Sequence, residues 1–185
     1  MAIKSVIMSA EDIKKILDGR KTCMRRVVRG LPERTYRVEA ETPDGGKPRF
    51  ICYYGGYVES INGFADFSVS IEPPCQPGDI LCVRNTIRAN LHGEKESGEL
   101  WLKVTDICLE RLQDITDEEA KAEGSNFKDG KNVGWEEKMR RTATERFAEN
   151  WDSTIKESEL KEYGWSANPW VVAIEFEQCE RPEDA

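Results

Sequence analysis

The first pattern of apolar and polar positions predicts a short helix. Ile13, Ile16 and Leu17 follow the i, i+3, i+4 spacing of one helix face. Ser9 stands before them as an N-cap, with Asp12 three residues later in position to reach back. Gly19 suits the left-handed conformation that ends many helices. The residues after Gly19 therefore emerge directly from the C-terminal end of this helix.

The middle of the chain carries the pattern of strands. Between residues 36 and 71, the turn signals PDGGK, GG and NG separate short apolar runs, which predicts β-hairpins. A tight turn in PPCQPGD precedes a buried strand over 80–83. Residues 100–112 alternate as its hairpin partner until the apolar phase changes near Ile107, which indicates a β-bulge. A last strand follows Pro169, with alternate residues from Trp170 on one face.

Two further helices are predicted in the second half. Thr116 and Glu119 form a capping-box pattern, and Gly124 ends that helix at Glu123. A loop over 125–134 precedes a helix over 135–151. Its buried stripe has a spacing of four and consists of Met139, Ala143, Phe147 and Trp151.

Short strands joined by turns, with helices at the edges and no alternating strand-helix rhythm, are typical of an α+β fold. We expect a small barrel or curved mixed sheet, mostly antiparallel, with short flanking helices. Residues 1–185 contain no internal repeat and no long linker, so we expect a single domain.

Charge is distributed unevenly along the chain. The net charge is -8, yet residues 14–37 contain nine Lys or Arg and two acids. Helix-dipole complementation explains some cations after the first helix. A cationic segment on an acidic body can also bind a polyanion locally. The asymmetry favours a defined groove over general binding along a duplex.

Cysteine spacing and apolar runs exclude other classes of protein. The six cysteines form no C-x-x-C pair, and His92 is the one histidine, so we expect free thiols, no metal site and no cofactor. No run resembles a signal peptide or reaches the ~18 apolar residues of a membrane helix. We therefore expect a cytoplasmic protein that does not enter a membrane.

Five segments, in order along the chain, resemble the ASCH family, a branch of the PUA-like β-barrel superfamily. They are ILDGRKTCMRR, PGDILCVRNT, LKVTDICLERLQDITDEEAKAEG, FAENWDS and WSANPWVVAIEFE. Phage-encoded and bacterial members are similar to this chain. The resemblance implies a single PUA-like β-barrel domain over 1–185, with residues of about 36–71 as a β-hairpin insertion.

The family resemblance also implies a cleft beside the barrel that binds RNA or a single nucleotide, in some members with a modified base. Some members resemble amidohydrolases that remove an acyl group from acetylated cytidine. Their catalytic lysine and glutamate match Lys21 and Glu123. The position of their nucleophilic threonine holds Met24, whose thioether cannot attack an amide.

Two other nucleophiles lie close to Lys21 in sequence. Thr22 and Cys23 are weak candidates. Cys23 could serve as a thiolate, because the adjacent cations Lys21 and Arg25 are expected to lower its pKa. For binding, guanidinium and ammonium groups are suited to phosphates and base edges. The candidate nucleic-acid contacts are Arg20, Lys21, Arg25, Arg26 and Arg84.

The sequence predicts a module that binds RNA or a nucleotide and recognises a nucleobase, modified or not, in this cleft. The alternative is an amidohydrolase of an acylated cytidine-type nucleoside, with Lys21 as base, Glu123 orienting it, and Thr22, Cys23 or water attacking. A third hypothesis is protein interaction through the acidic surface, for which the sequence names no partner.

Overall fold

The computed structural model describes residues 2–32, 34–43, 46–85, 100–125 and 141–183. Most of the predicted loop over 125–134, the first residues of the predicted helix over 135–151, and His92 lie outside the described residues.

Strands and short helices alternate irregularly along the described chain. The strands are β1 (Ile3–Met8), β2 (Cys23–Val27), β3 (Thr35–Glu41), β4 (Arg49–Val58), β5 (Gly63–Ile71), β6 (Ile80–Asn85), β7 (Leu100–Arg111) and β8 (Trp170–Cys179). The α-helices are α1 (Ala10–Leu17), α2 (Asp117–Ala122), α3 (Ala143–Thr154) and α4 (Leu160–Tyr163). Single 3-10 turns lie at Glu59–Ile61, Leu112–Asp114, Glu157–Glu159 and Trp165–Ala167. The predicted α+β class is confirmed.

The main sheet has five strands in the order β1-β6-β7-β8-β2. β1 pairs parallel to β6, and the other pairs are antiparallel, which confirms a mixed, mostly antiparallel sheet. The two end strands approach each other where Arg26 on β2 donates from Nη2 to the carbonyl oxygen of Ile7 on β1, at 3.2 Å. This contact places β1, β2 and the N-terminal end of α1 around one side of the sheet.

The predicted hairpins form a separate antiparallel sheet in the order β3-β4-β5. Its bounds, Thr35 to Ile71, agree with the hairpin region expected over 36–71. Phe50 and Cys52 of β4 are buried in the main core, so this sheet packs against the rest of the protein at one end. That the segment is an insertion into a single domain stays a prediction.

Two sequence signals in the main sheet are confirmed. β6 and β7 form the predicted antiparallel pair, beginning at Ile80 opposite Lys103. The pairing of β7 with β8 changes register between Val104 and Asp106, where the apolar phase changes in the sequence. Beyond this bulge, β7 continues to Arg111, and α2 follows after the 3-10 turn Leu112–Asp114.

The core has two parts on opposite faces of β8. Val172, Ile174 and Phe176 pack into the larger cluster with Ile16. Val171 packs into a second cluster with the buried face of α3. β8 therefore contributes to both clusters, with Ile16 of α1 packed in one and the buried residues of α3 packed in the other.

Helix α1 begins as predicted but buries a different face. Ser9 Oγ accepts a hydrogen bond from the Asp12 amide, and Gly19 has a φ of 69°. Ile16 is buried, whereas Leu17 is 61% exposed, so its place on the buried stripe was wrong. The stem of Lys15 is buried in its place, because it lies against Gly124.

Helix α3 begins later than the predicted helix over 135–151. Thr142 is its N-cap and forms a capping box with Glu145, so the helix begins at Ala143. The helix extends to Thr154, beyond the predicted end. Ala143, Phe147 and Trp151 are buried, which confirms that part of the predicted stripe.

Candidate functional site

The backbone brings the residues after α1 against the end of α2. Thr22 donates its amide to the Ala122 carbonyl at 2.8 Å, and its own carbonyl accepts from the Phe176 amide at 2.9 Å. An isolated antiparallel bridge joins Lys21 to Glu123. Two residues far apart in sequence are thus fixed side by side by main-chain hydrogen bonds.

The Lys21 and Glu123 side chains form a buried ion pair. Lys21 Nζ lies 2.6 Å from Glu123 Oε2 and 3.1 Å from the Glu123 carbonyl oxygen. The side chains are 9% and 5% exposed, respectively. Asp12 Oδ1, from the first turn of α1, is 3.7 Å from the same ammonium. Three oxygen atoms, two from Glu123 and one from Asp12, therefore lie around the Lys21 ammonium.

The charge state of Lys21 follows from these neighbours. Burial alone would lower the pKa of its ammonium, but the carboxylates of Glu123 and Asp12 outweigh burial and raise the pKa above its ordinary value. Lys21 is consequently protonated at neutral pH. In this state it donates hydrogen bonds and cannot accept a proton.

Arg25 connects Glu123 to a second carboxylate. Its Nε donates to Glu110 Oε1 at 2.7 Å, and its Nη1 donates to Glu123 Oε1 at 3.4 Å. Glu119 Oε2 lies 3.5 Å from Nη2. The side chain is 1% exposed, and its guanidinium lies 6.0 Å from the Phe147 ring centroid. Arg25 therefore holds Glu123 from the side opposite Lys21.

A cavity of about 390 Å³ lies over this network. Lys21, Met24, Arg25, Arg26 and Glu123 line it, with Asp12, Glu11 and Lys15 from α1. The facing wall is neutral and comes mainly from α3. It includes Phe147, Asn150, Trp151, Ser153 and Thr154. The volume is within the usual range of ~300–1,000 Å³ for small-molecule sites.

The cavity brings together four of the predicted site residues. Lys21, Arg25, Arg26 and Glu123 line it, with Arg26 exposed on β2. Arg20, which pairs with Asp18 at 3.1 Å, is not among the lining residues. Nor is Arg84, an exposed residue of β6.

The two nucleophile candidates do not line the cavity either. Thr22 is exposed, and Cys23 is buried. Burial, followed by the Glu123 carboxylate, raises the pKa of the Cys23 thiol to about 12, although Arg25 and Lys21 act to lower it. The expected lowering of this pKa is wrong, because the thiol loses its hydration and the nearby carboxylate offsets the cations.

Met24 lies on the cavity wall and belongs to the main core as well. It lies on β2 directly before Arg25 and Arg26, which line the same cavity. The thioether therefore borders the space beside Lys21. It contributes apolar surface there.

Sequence reasoning missed the polar residues that complete the cavity. Asp12 was assigned to helix capping, yet it also faces the Lys21 ammonium. Asn150 and Ser153 were not singled out, although they share one face of α3 by their i, i+3 spacing. The signal in the sequence that could have identified them is this i, i+3 spacing of polar residues next to the buried residues Phe147 and Trp151.

Comparisons with known proteins gave two structural matches. The ASCH domain from Lactobacillus crispatus JV V101 aligns over 96% of this chain and 79% of its own, with 12% identity and a TM-score of 0.41. A protein from Enterococcus faecalis V583 with the family designation DUF984 aligns over 96% of this chain and 81% of its own, with 13% identity and a TM-score of 0.43. No family model and no curated protein matches the sequence.

Within the described ranges, no group of three or more His, Cys, Asp or Glu side chains is arranged to hold a metal ion. All six cysteines are free thiols. No helix in the described part of the chain is long and apolar enough to span a membrane.

Proposed function

We propose that the chain binds RNA, or a nucleotide from it, with one nucleobase in the cavity beside Lys21 and Glu123. The observation that carries the proposal is the buried ion pair at the wall of a cavity of about 390 Å³. A buried cation and carboxylate next to each other offer a donor and an acceptor to one ligand edge. The sequence resemblance to the ASCH family supports the same ligand class.

The lining favours a polar, uncharged group over a highly charged one. Lys21, Arg25 and their partners present both signs of charge, so a phosphate in the cavity would face the carboxylates of Glu123 and Asp12. A nucleobase presents donors and acceptors without charge. Phe147 and Trp151 border the same space and offer aromatic surface to a planar ring.

Arg26 is the residue suited to the ligand's phosphate. Its side chain is exposed at the cavity, and Nη2 donates to the Ile7 carbonyl. A guanidinium carries five N–H donors, so this contact orients the group and leaves donors for a phosphate oxygen. The phosphate would then lie outside the cavity while the base lies inside.

A binding titration with short single-stranded RNA, read by fluorescence anisotropy, tests the phosphate contact. Arg26→Ala should weaken binding about tenfold, since a charge-assisted contact is lost. It should also reduce the dependence of affinity on salt. Arg84→Ala removes an exposed cation that does not line the cavity and should leave affinity unchanged. Equal effects of the two variants would contradict the proposal.

A second pair of variants tests the cavity itself. Ser153 is exposed and lines the cavity, so Ser153→Trp should fill the space and abolish binding. Ser158 is exposed in the turn Glu157–Glu159 and does not line it, so Ser158→Trp is the matched control. If Ser153→Trp binds RNA like the control, the base does not enter this cavity.

The hydrolytic alternative has one supporting observation, which is that Met24 borders the cavity beside Lys21, where the resemblance places the nucleophile. However, a protonated Lys21 is a poor general base, and neither Thr22 nor Cys23 lines the cavity. Incubation with acetylated cytidine, followed by chromatography, tests the alternative. Turnover by the native chain that disappears in Lys21→Ala would favour hydrolysis over binding alone.

A further inference from the structure

The edge strand β5 of the three-stranded sheet carries exposed apolar side chains that have no part in the proposed function. Among the described residues, most of the exposed large hydrophobic side chains belong to this sheet. On β5, Phe64 is 71% exposed, Phe67 40% and Val69 38%. β5 is also the last strand in the order β3-β4-β5, so one side of its backbone pairs with no strand of the described chain.

The two edges of this sheet differ in their protection against pairing. β3 carries Arg37, Glu39 and Glu41, and its pairing with β4 shifts register between Thr35 and Arg37. Charges and bulges of this kind discourage association at an edge. β5 pairs with β4 over nine residues without a shift and contains no Lys, Arg or Pro. It has the features of an edge that accepts another strand.

We propose that β5 pairs antiparallel with β5 of a second copy of this chain, joining two three-stranded sheets into one of six strands. The two-fold axis would pass through Phe67, so that Phe67 faces its counterpart. Asp66 would then lie opposite Ser68, and Ala65 opposite Val69. In this register, the core-facing side chains of both copies lie on one face of the six-stranded sheet.

Hydrogen-bond complementarity between side chains of β5 favours this register and a second copy as the partner. Asp66 is the one ionisable residue of β5. In the proposed register, each Asp66 carboxylate meets a Ser68 hydroxyl, which can donate to it. A shift that centres the axis on Asp66 would oppose two carboxylates and is disfavoured. An axis on Ser68 would also place a hydroxyl, that of Ser70, opposite each Asp66, but only the axis on Phe67 brings the two Phe67 rings together. The edge is thus complementary to itself, which is the requirement for a two-fold interface.

The cavity would remain open in such a dimer. None of its lining residues belongs to β3, β4 or β5. The proposal therefore does not rest on RNA binding, and each can fail without the other.

Sedimentation velocity of the full chain over a range of concentrations is the test. We expect a reversible monomer–dimer equilibrium. Ser68→Asp would oppose Asp66 at two symmetry-related positions and should raise the dimer Kd about fivefold or more. Ser68→Lys places an ammonium opposite the same carboxylates and should leave the Kd unchanged or lower it.

The control for added charge is Ser5→Asp, on the exposed part of the edge strand β1 of the other sheet. It should leave the Kd unchanged. A chain that sediments as a monomer up to about 500 µM would overturn the proposal, and so would a dimer on which Ser68→Asp and Ser68→Lys have the same effect. Opposite effects of the two Ser68 variants, with no effect of Ser5→Asp, would support the interface and its register.

Discussion

Lys21 Nζ and Glu123 Oε2 lie 2.6 Å apart although 102 residues separate them in the sequence. Both side chains are buried, and each has a further partner, Asp12 for the ammonium and Arg25 for the carboxylate. Charges buried in this way are stable only when they are paired. The pair therefore serves folding as well as any ligand.

Removing one member of the pair should destabilise the protein strongly. Lys21→Met leaves the Glu123 carboxylate buried beside Arg25 alone, and a lost buried partner costs about 3–5 kcal/mol. The double variant Lys21→Met, Glu123→Gln should lose less than the sum of the single variants, because neither charge is then left unpaired. Urea unfolding measures these free energies. Additive losses would show that the two side chains do not interact as described.

Alkaline pH should reduce stability in two ranges. The pKa of Cys23 is raised from 9.0 to about 12, so its stabilising contribution is present below pH 9 and is lost as the pH rises toward 12. The pKa of Lys21 is also raised, from 10.5, so the contribution of its ion pair is lost above that value. The free energy of unfolding should therefore fall with increasing pH above 9.

Cys23→Ala separates these two contributions. In this variant, the fall in unfolding free energy between pH 9 and about 10.5 should be smaller than in the native chain, because the buried thiol no longer titrates. Other cysteines with raised pKa values, such as Cys52 and Cys75, remain present in both proteins. An unchanged slope in Cys23→Ala would contradict the assignment.

Thiol reactivity should follow exposure rather than the proximity of cations. Cys23 is buried with a pKa of about 12, so iodoacetamide should not modify it in the folded protein at pH 7.5. Cys108 is exposed and should be alkylated first. Peptide mass spectrometry identifies the modified sites, and the same reaction in urea should label both. Early labelling of Cys23 would indicate that the thiol is accessible and ionised.

Gly124 should tolerate no side chain. Its φ is 81°, and a Cβ added to it would lie 2.8 Å from Lys15 Cδ. Gly124→Ala should therefore cost about 1–3 kcal/mol. It should also weaken the proposed RNA binding, because strain at Gly124 would displace the adjacent Glu123. Gly19 has a φ of 69° with nothing within 4 Å of the added atom. Gly19→Ala should lose about 1 kcal/mol by urea unfolding and leave binding unchanged.

Local signals in the sequence predicted the elements well. The caps at Ser9 and Thr116, the β-bulge on β7 and the hairpins of the three-stranded sheet all lie where the pattern indicates. Each depends on residues close together in the chain, so spacing alone is informative. The start of α3 was missed because the apolar stripe continues upstream of Thr142 in the sequence, whereas the helix begins at the capping box of Thr142 and Glu145.

The candidate site was harder to predict because it depends on distant contacts. Lys21 and Glu123 were paired through the family resemblance, and spacing would not have joined them. On α1, Lys15 is buried and Leu17 is exposed, the reverse of what their polarity predicts, because Lys15 lies on the side of the helix that faces Gly124. The pKa of Cys23 depends on burial, which adjacent residues in the sequence do not reveal.

The main-chain bonds on both sides of Thr22 have a consequence for the kinetics of recognition. Because the hydrogen bonds of Thr22 with Ala122 and Phe176 fix the backbone next to Lys21, the Lys21 ammonium and the Glu123 carboxylate are preorganised when the chain folds. The entropic cost of arranging them is met during folding, before any ligand arrives. Association should then resemble rigid docking, and ligands of different affinity should differ mainly in how fast they leave.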